Sequence, residues 1–434
     1  MANDPSIPGR PSPPVCIDAK RDASGRFCER TVHLGVGPDE VRRYAYDSAG
    51  RLARVTDGLG ALCESYQYDQ HGRRLADINP LRFRGERRFA YGLSNRLDQA
   101  GSVQYGHDRA GFRNLKLEAT PRGQRETRYR YEPSGLLLAV DLPDGRRIDY
   151  TYDADGLRTE KRVTVNGFGR VVAEYIWLDP LRLGGFHDGH EWWRLAYGQG
   201  RSPVGVENGR ERYLILCDQV GTPLALANLD GSIVQYIRYD SFGNLLEVRG
   251  EAVRLPLGFA GGLFDADTGL TRFVWRDYDA DTGCFTALDP LGKKGGDSDW
   301  YGYCADDPVN RVDQWGLAVQ LCRRPVDVDN DYVRSLVNHH FIKTDSTESG
   351  LGIPGRAAGQ GDSTGDLFSQ TQWIAHSGQS KAADAECWPV PNVDEQCVDR
   401  LIQPGTGAGR WIPGLNDCQT NPAEVFNYCR ADTE

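Results

Sequence analysis

Polar and apolar residues alternate along most of the first 250 residues, and this alternation predicts short β-strands. The segments "RRYAYD" (42–47) and "TRYRYE" (127–132) show the two-residue period of a strand with one buried face. Asp-x-x-Gly tetrapeptides stand between such segments. The aspartate of this motif can bond nearby backbone, and the glycine can adopt a positive φ. The pattern therefore predicts strands joined in hairpins.

The hairpin motif recurs, which predicts an array rather than an isolated pair of strands. One hairpin alone cannot bury a face, whereas stacked copies form a long sheet that coils. An unrelated meander whose turns share Asp and Gly is the alternative. The copies are "YDSAGRL" at Tyr46, "YDQHGRRL" at Tyr68, "HDRAGFR" at His107, "YEPSGLL" at Tyr131, "YDADGLR" at Tyr152 and "YDSFGNLL" at Tyr239.

These motifs resemble the Rhs/YD-repeat family, and two longer segments strengthen the likeness. Asp218–Glu247, "DQVGTPLALANLDGSIVQYIRYDSFGNLLE", is similar to a segment of the Rhs core. Leu257–Gly292, which contains "WRDYDADTGCFTALDPLG", is similar to the segment that closes the family's shell. The resemblance covers about residues 40–317 and implies a β-sheet shell around an enclosed polypeptide. The chain has fewer repeats than the family's shells, so a partial shell is expected.

The expected fold class is mainly β, with a YD-repeat hairpin sheet followed by a small α+β C-terminal domain. Its domains are predicted as a flexible lead-in (1–35), a repeat sheet (36–256), a core with a cleavage junction (257–317) and a C-terminal toxin or effector domain (318–434).

Composition narrows the function. The formal charge is −10 over 434 residues, and the segment after Leu317 holds nine basic and sixteen acidic residues. An acidic tail is a poor partner for nucleic acid. The eleven cysteines include no Cys-x-x-Cys pair, so no structural metal site and no cofactor are expected. The start lacks a secretory signal, and no apolar run is long enough to span a membrane. We expect cytoplasmic synthesis followed by delivery.

The resemblance also implies self-cleavage. Rhs-type cores end in Asp-Pro-x-Gly-Leu and cut after the leucine, which places the scissile bond between Leu317 and Ala318. The family's arginine and two aspartates correspond to Arg276, Asp289 and Asp313, although "DQWGL" has Gln314 where the family has proline.

The chemistry is plausible without the family, because two neighbouring carboxylates do not both ionise easily. One can then act as base and the other as acid, while an arginine stabilises negative charge. The alternative is that these aspartates only form turns. Asp297 and Asp299, between the two motifs, are expected to be solvated loop residues.

The tail has its own candidate chemistry. Strands are predicted at "HHFIKT" and "TQWIAHSG", and helices at 393–402 and 422–429. Cys418 before a predicted helix, with histidines earlier in the chain, suggests a thiol nucleophile. "LNDCQTNPAEVF" resembles the circularly permuted papain-like group. That resemblance implies Cys418 as nucleophile, His340 as base, His339 as its neighbour and His376 as an orienting residue.

Several alternatives stay open for the tail. Cys418 can be a buried thiol or form a disulfide, and "NHHFIKT" vaguely resembles a His-His metal nuclease. A secreted or surface YD-repeat binding protein without a catalytic tail is the other class. The family resemblance implies a type VI or contact-dependent secretion route. It also implies a cognate immunity protein, together with a spike protein and chaperone.

Overall fold

A computed structural model describes most of the chain up to residue 313. Beyond that point it describes the backbone of short strands and a single further residue. The fully described ranges are 16–33, 39–198, 200–289 and 299–313; the tail contributes 320–325, 338–343, 348–352, 370–375, 386–389, 402 and 407–410.

A large sheet of 22 strands dominates the described chain. Each strand pairs antiparallel with the next one in sequence, so the sheet is one continuous meander. The strands are β1 (Cys16–Arg21), β2 (Phe27–His33), β3 (Glu40–Tyr46), β4 (Leu52–Asp57), β5 (Leu62–Tyr68), β6 (Arg74–Ile78), β7 (Glu86–Tyr91), β8 (Leu97–Ala100), β9 (Val103–His107), β10 (Arg113–Thr120), β11 (Gly123–Tyr131), β12 (Leu137–Asp141), β13 (Arg147–Tyr152), β14 (Arg158–Val165), β15 (Phe168–Asp179), β16 (Arg182–His187), β17 (Trp192–Tyr197), β18 (Pro203–Glu207), β19 (Arg212–Cys217), β20 (Pro223–Ala227), β21 (Ile233–Tyr239) and β22 (Leu245–Arg249).

The predicted repeat turns are confirmed, and their hydrogen bonds explain why the motif contains aspartate, glycine and arginine. At the Asp47 turn, the Gly50 N–H donates to the Asp47 carbonyl, and the aspartate side chain accepts from the N–H of Arg51 at 3.0 Å. Gly50 has a φ of +85°, which a residue with a Cβ rarely adopts. The Arg51 guanidinium then donates to Asp47 at 2.7 Å and lies 4.8 Å from the ring centre of Tyr68 in the next repeat.

The motif's tyrosines link successive repeats in the same way along the sheet. The Tyr68 hydroxyl donates to the Leu52 carbonyl at 2.9 Å, and Tyr152 donates to Leu137 at 2.7 Å. Each tyrosine ring thereby packs against the preceding repeat while its hydroxyl keeps a hydrogen bond, as a half-buried phenol requires. The Tyr-Asp pair therefore encodes both the turn and the stacking.

A second, smaller sheet follows the repeats. Its four strands are antiparallel and almost entirely buried on both faces. They are β23 (Leu263–Asp265), β24 (Leu270–Phe273), β25 (Arg276–Asp279) and β26 (Cys284–Phe285); single 3₁₀ turns lie at Leu93–Asn95, Phe259–Gly261 and Cys304–Asp306.

Buried ion pairs join the small sheet to the large one. The Lys161 ammonium on β14 lies 2.6 Å from Asp265, and the Arg158 guanidinium lies 2.9 Å from Asp277. Arg113 at the start of β10 pairs with Asp279. These partners are more than 100 residues apart in sequence, so the charges specify where the small sheet lies.

The tail contains a six-stranded antiparallel sheet in its described residues. The strands predicted at "HHFIKT" and "TQWIAHSG" are confirmed as β28 and β30, whereas residues 393–401 and 422–429, predicted as helices, lie outside the described residues. The strands are β27 (Gln320–Pro325), β28 (Asn338–Lys343), β29 (Glu348–Gly352), β30 (Gln370–Ala375), β31 (Glu386–Pro389) and β32 (Gly407–Arg410).

The chain divides into two compact units, Met1–Leu288 with Ser298–Gly316 and Asp289–Asp297 with Leu317–Glu434. Among the described residues, no helix has the length and apolar character needed to cross a membrane.

The prediction of a flexible lead-in over residues 1–35 is wrong for Cys16–His33. Strands β1 and β2 form a hairpin there around an Asp22–Gly25 turn, in which Gly25 donates to the Asp22 carbonyl at 2.9 Å. The turn has the repeat's Asp-x-x-Gly-Arg form but no tyrosine before the aspartate. The incomplete motif concealed the first hairpin of the sheet.

Candidate functional site

Arg276 is held rigidly at the beginning of β25. Its strand pairs with β24 on one side and β26 on the other, and its side chain is 4% exposed. The guanidinium carbon lies 3.7 Å from the ring centre of Phe285, and Nη1 donates to the Trp300 carbonyl at 3.5 Å. The strand pairing and the ring contact together fix the cation in a site with little water.

Arg276 and Asp313 are brought together, although 37 residues separate them. Nη2 of Arg276 donates to Oδ2 of Asp313 at 3.4 Å, and the Asp313 side chain is 25% exposed. The guanidinium attracts the carboxylate and orients it. The carboxylate also remains accessible to water, so it can accept a proton.

A strained turn precedes Asp313. Cys304, Ala305 and Asp306 have φ angles of +56°, +48° and +58°, the left-handed region that costs a residue with a Cβ about 1–2 kcal/mol. Burial, and then the nearby Asp313 carboxylate, raises the pKa of the Cys304 thiol well above its ordinary value. The thiol is therefore neutral at physiological pH and does not compete with the Asp313 carboxylate for the Arg276 cation.

Packed aromatic rings surround Phe285, the ring against which Arg276 lies. Tyr303 and Tyr278 are fully buried, with ring centres 4.6 Å apart, and Phe273 packs against both. Burial raises the pKa of the Tyr303 hydroxyl well above 10. The rings lower the local dielectric, which strengthens the Arg276–Asp313 attraction relative to water.

Asp289 is 8% exposed and follows Leu288 directly, after the end of β26. It is the first residue of the second compact unit, whereas Arg276 and Asp313 belong to the first. The predicted scissile residues, Leu317 and Ala318, lie outside the described residues. Of the three polar residues that the sequence predicts for cleavage, Arg276 and Asp313 form an ion pair within the first unit. The third, Asp289, is buried at the start of the second unit.

The expectation that Asp299 is solvated is wrong. It is 3% exposed, and its carboxylate accepts the N–H of Tyr301 at 3.1 Å. The Tyr301 hydroxyl in turn donates to the Gly111 carbonyl at 2.6 Å, which ties this turn to the large sheet. The sequence signal for this burial is the aromatic residue Tyr301, two positions after Asp299, which is itself buried. Asp297 lies outside the described residues.

Sequence reasoning also missed Asp307. It is 3% exposed, and burial raises the pKa of its carboxyl above the ordinary value, while Asn310, which donates to it at 2.8 Å, opposes that rise. Asn310 also donates to the Tyr46 hydroxyl at 2.8 Å, so this pair anchors the segment before Asp313 to the repeat sheet.

The tail residues are only partly placed. His339 and His340 are neighbours on β28, in register with Arg324 and Arg323 of β27. Cys418 and His376 lie outside the described residues.

Comparison with known proteins gives matches to shell-forming and toxin proteins. The teneurin YD-shell family profile matches residues 16–295. The Probable deoxyribonuclease RhsB of Dickeya dadantii (strain 3937) is 30% identical over 312 residues, which cover 65% of this chain and 21% of that protein. Teneurin-3 of Danio rerio is 28% identical over 309 residues, with coverage of 68% and 11%.

Among solved structures, TcdB2-TccC3-Cdc42 matches with a TM-score of 0.48 at 15% identity, over 70% of this chain and 17% of that chain. The chain spans about a fifth of the length of the Dickeya relative and about a tenth of that of teneurin-3.

Proposed function

The chain belongs to the teneurin YD-shell family, and from that premise we propose that it is the shell and junction of an Rhs-like toxin that cuts itself after Leu317. The observation that carries the proposal is the ion pair between buried Arg276 and Asp313, a residue only four positions before the proposed cut. A carboxylate that an arginine holds in place and that water can reach is suited to proton transfer, and not to turn formation alone.

In the proposed reaction Asp313, held in place by Arg276, accepts a proton from water as the water oxygen attacks the Leu317 carbonyl. The bond between that carbon and the Ala318 nitrogen breaks as a proton passes from the Asp289 carboxyl group to the nitrogen. The products are a carboxylic acid at Leu317 and an amine at Ala318. The tethered bond makes the reaction a single turnover.

Expression of the full chain tests this cleavage. We expect fragments of 317 and 117 residues, and we expect Asp289→Asn and Asp313→Asn to leave the 434-residue chain intact. Asp230→Asn, in the exposed turn between β20 and β21, is the matched control and should cleave as the parent does.

Asp299→Asn separates this assignment from its strongest rival, because Asp299 is also buried between the two motifs. Complete splitting of Asp289→Asn, or cleavage that stops only in Asp299→Asn, would show that the proposed acid is wrong. Mass spectrometry of the smaller fragment should give Ala318 as its first residue.

For the tail we propose a cysteine hydrolase or acyltransferase with Cys418 as nucleophile, His340 as base, His339 beside it and His376 orienting the base. The support is the cysteine-before-helix pattern and the strand that carries both His339 and His340. Expression of the full chain in bacteria should be toxic, Cys418→Ala should abolish toxicity, and Cys429→Ala should preserve it. Full toxicity of Cys418→Ala would reject the cysteine mechanism.

A nuclease tail is the second candidate, since two Dickeya relatives are named probable deoxyribonucleases. Degraded plasmid DNA in cells that express the chain would favour it, whereas intact DNA with growth arrest favours the hydrolase. A YD-repeat binding protein without a catalytic tail predicts no toxicity at all.

Delivery into a target cell and neutralisation by an immunity protein are further parts of the proposal. A type VI spike protein and a chaperone are the proposed delivery partners. If a small gene lies directly downstream, its co-expression should restore growth, and its product should bind residues 318–434. Growth arrest that persists when such a gene is co-expressed would contradict the proposed immunity pair.

A further inference from the structure

The first hairpin of the large sheet gathers three different metal-ligand types at one point. Cys16 and Asp18 are two residues apart on β1, so both side chains lie on the same face, and Cys16 is in register with His33 on β2. A thiol sulfur, a carboxylate oxygen and an imidazole nitrogen of these residues all lie within 4.8 Å of one another. Within the part of the chain that the structure describes, this is the single group of three such ligands.

Asp39 orients the imidazole from its other side. Nδ1 of His33 lies 2.9 Å from Oδ2 of Asp39, and Nε2 lies 3.1 Å from Oδ2 of Asp18. A carboxylate on the ring nitrogen that does not bind metal is the usual partner of a metal-binding histidine, because it fixes the tautomer and the ring direction. Nε2 is therefore the nitrogen available to a cation beside Asp18.

We propose that Cys16, Asp18 and His33 bind a zinc-class divalent cation, with Asp39 as the positioning residue. Thiolate, imidazole and carboxylate together are the donors that Zn²⁺ accepts, and three protein ligands leave a fourth position for water. Ligand atoms around tetrahedral zinc lie about 3–4 Å apart, so small side-chain rotations close the observed arrangement.

Charge and access support binding. Asp18 and Asp39 place two carboxylates beside one imidazole, and a divalent cation offsets their negative charge. The Asp18 side chain is 77% exposed, so the cation can enter from solvent. Among the described strands, β1 pairs only with β2, so β1 is an edge strand of the sheet. A cation bound by Cys16 and Asp18 of β1 and by His33 of β2 would hold these two strands together.

The experiment uses the full chain, stripped with a chelator and then titrated with Co²⁺ or Zn²⁺ alone. We expect one equivalent of Co²⁺ to give a thiolate charge-transfer absorption that is lost in Cys16→Ser and in His33→Gln. Cys28→Ser is the matched control, because Cys28 lies on the same hairpin outside the ligand group and its loss should change neither signal. Asp39→Asn should weaken binding about 10- to 100-fold without abolishing it.

Thermal unfolding supplies a second readout. A cation that binds only the folded hairpin raises its melting temperature, so Zn²⁺ should stabilise the parent and Cys28→Ser but not Cys16→Ser. Equal Co²⁺ spectra and equal Zn²⁺ responses in the parent and in Cys16→Ser would overturn the proposal. That result would leave a hydrogen-bonded ion triad of His33, Asp18 and Asp39.

Discussion

Two turns with nearly the same sequence have different physical roles in this molecule. "YDADG" at 152–156 belongs to the repeat sheet, and "YDADTG" at 278–283 belongs to the small sheet. Asp153 is exposed and bonds only nearby backbone, accepting the N–H groups of Asp155 and Leu157 at 3.0 and 2.9 Å.

Asp279 also accepts a local N–H, from Asp281 at 3.1 Å, but it is buried and pairs with Arg113, which is 166 residues away and 1% exposed. The two aspartates make the same kind of local turn. The difference lies in what covers them, because the large sheet encloses the second turn and supplies its cation.

Replacing Asp279 should have the largest effect on stability. Asp279→Ala leaves the Arg113 guanidinium buried without its carboxylate, which costs about 3–5 kcal/mol of unfolding free energy. Chemical denaturation followed by tryptophan fluorescence measures this loss, with all variants made in an uncleaved Asp289→Asn chain. A loss no larger than that of Asp153→Ala would remove the distinction between the two turns.

A pair of buried carboxylates, Glu64 and Asp240, should give an intermediate, pH-dependent effect. Glu64 is 2% exposed, and burial together with the nearby Asp240 raises its pKa from an ordinary 4.5 to about 7. The folded chain therefore binds this proton more tightly than the unfolded chain, so the contribution of Glu64 to stability falls as the pH rises from 4.5 to 7.

Glu64→Gln should remove this penalty while still accepting the Tyr66 hydroxyl, which bonds Glu64 at 2.7 Å. We expect the variant to be more stable than the parent by roughly 1–3 kcal/mol above pH 7, with the difference vanishing near pH 4.5. Unfolding midpoints between pH 4 and pH 8 test this. Exposed Glu126→Gln is the control, and a constant difference at every pH would contradict the prediction.

The smallest effect should come from the repeat turn. Asp153→Ala loses two local hydrogen bonds, but water replaces them at an exposed position, so about 1 kcal/mol of unfolding free energy should be lost. The same denaturation experiment measures it. A loss of several kcal/mol would show that the repeat turns are as strongly coupled to the rest of the sheet as Asp279 is.

The repeat hairpins were predictable because their signal is local. Alternation, the turn aspartate and the positive-φ glycine all lie within one hairpin, and the predicted turn at Asp47 forms as expected. The hairpin at Cys16–His33 was missed because its turn lacks the tyrosine that marks other copies. A family resemblance supplied Arg276 and Asp313, and the structure brings these two together.

The candidate site was less predictable, because the sequence motif of a turn aspartate does not show whether its carboxylate will be buried. The segment from Asp289 to Asp313 contains several aspartates before turns, and Asp299 and Asp307 are buried as well as Asp289. The spacing of these aspartates along the chain does not distinguish the proposed catalytic ones from those that are buried for structural reasons. The partner of each carboxylate comes from a distant strand or turn.

The sequence by itself determined the hairpin sheet, since each strand pairs with its neighbour and each turn is closed by residues within it. Only the tertiary structure decided which charges became buried and which cations face them. Arg113–Asp279, Arg158–Asp277 and Arg276–Asp313 join residues that share no local pattern. A turn aspartate costs little in water, but once it is buried it needs a cation or other hydrogen-bond donors. That requirement separates the structural aspartates of the repeats from those that hold the small sheet and the proposed junction.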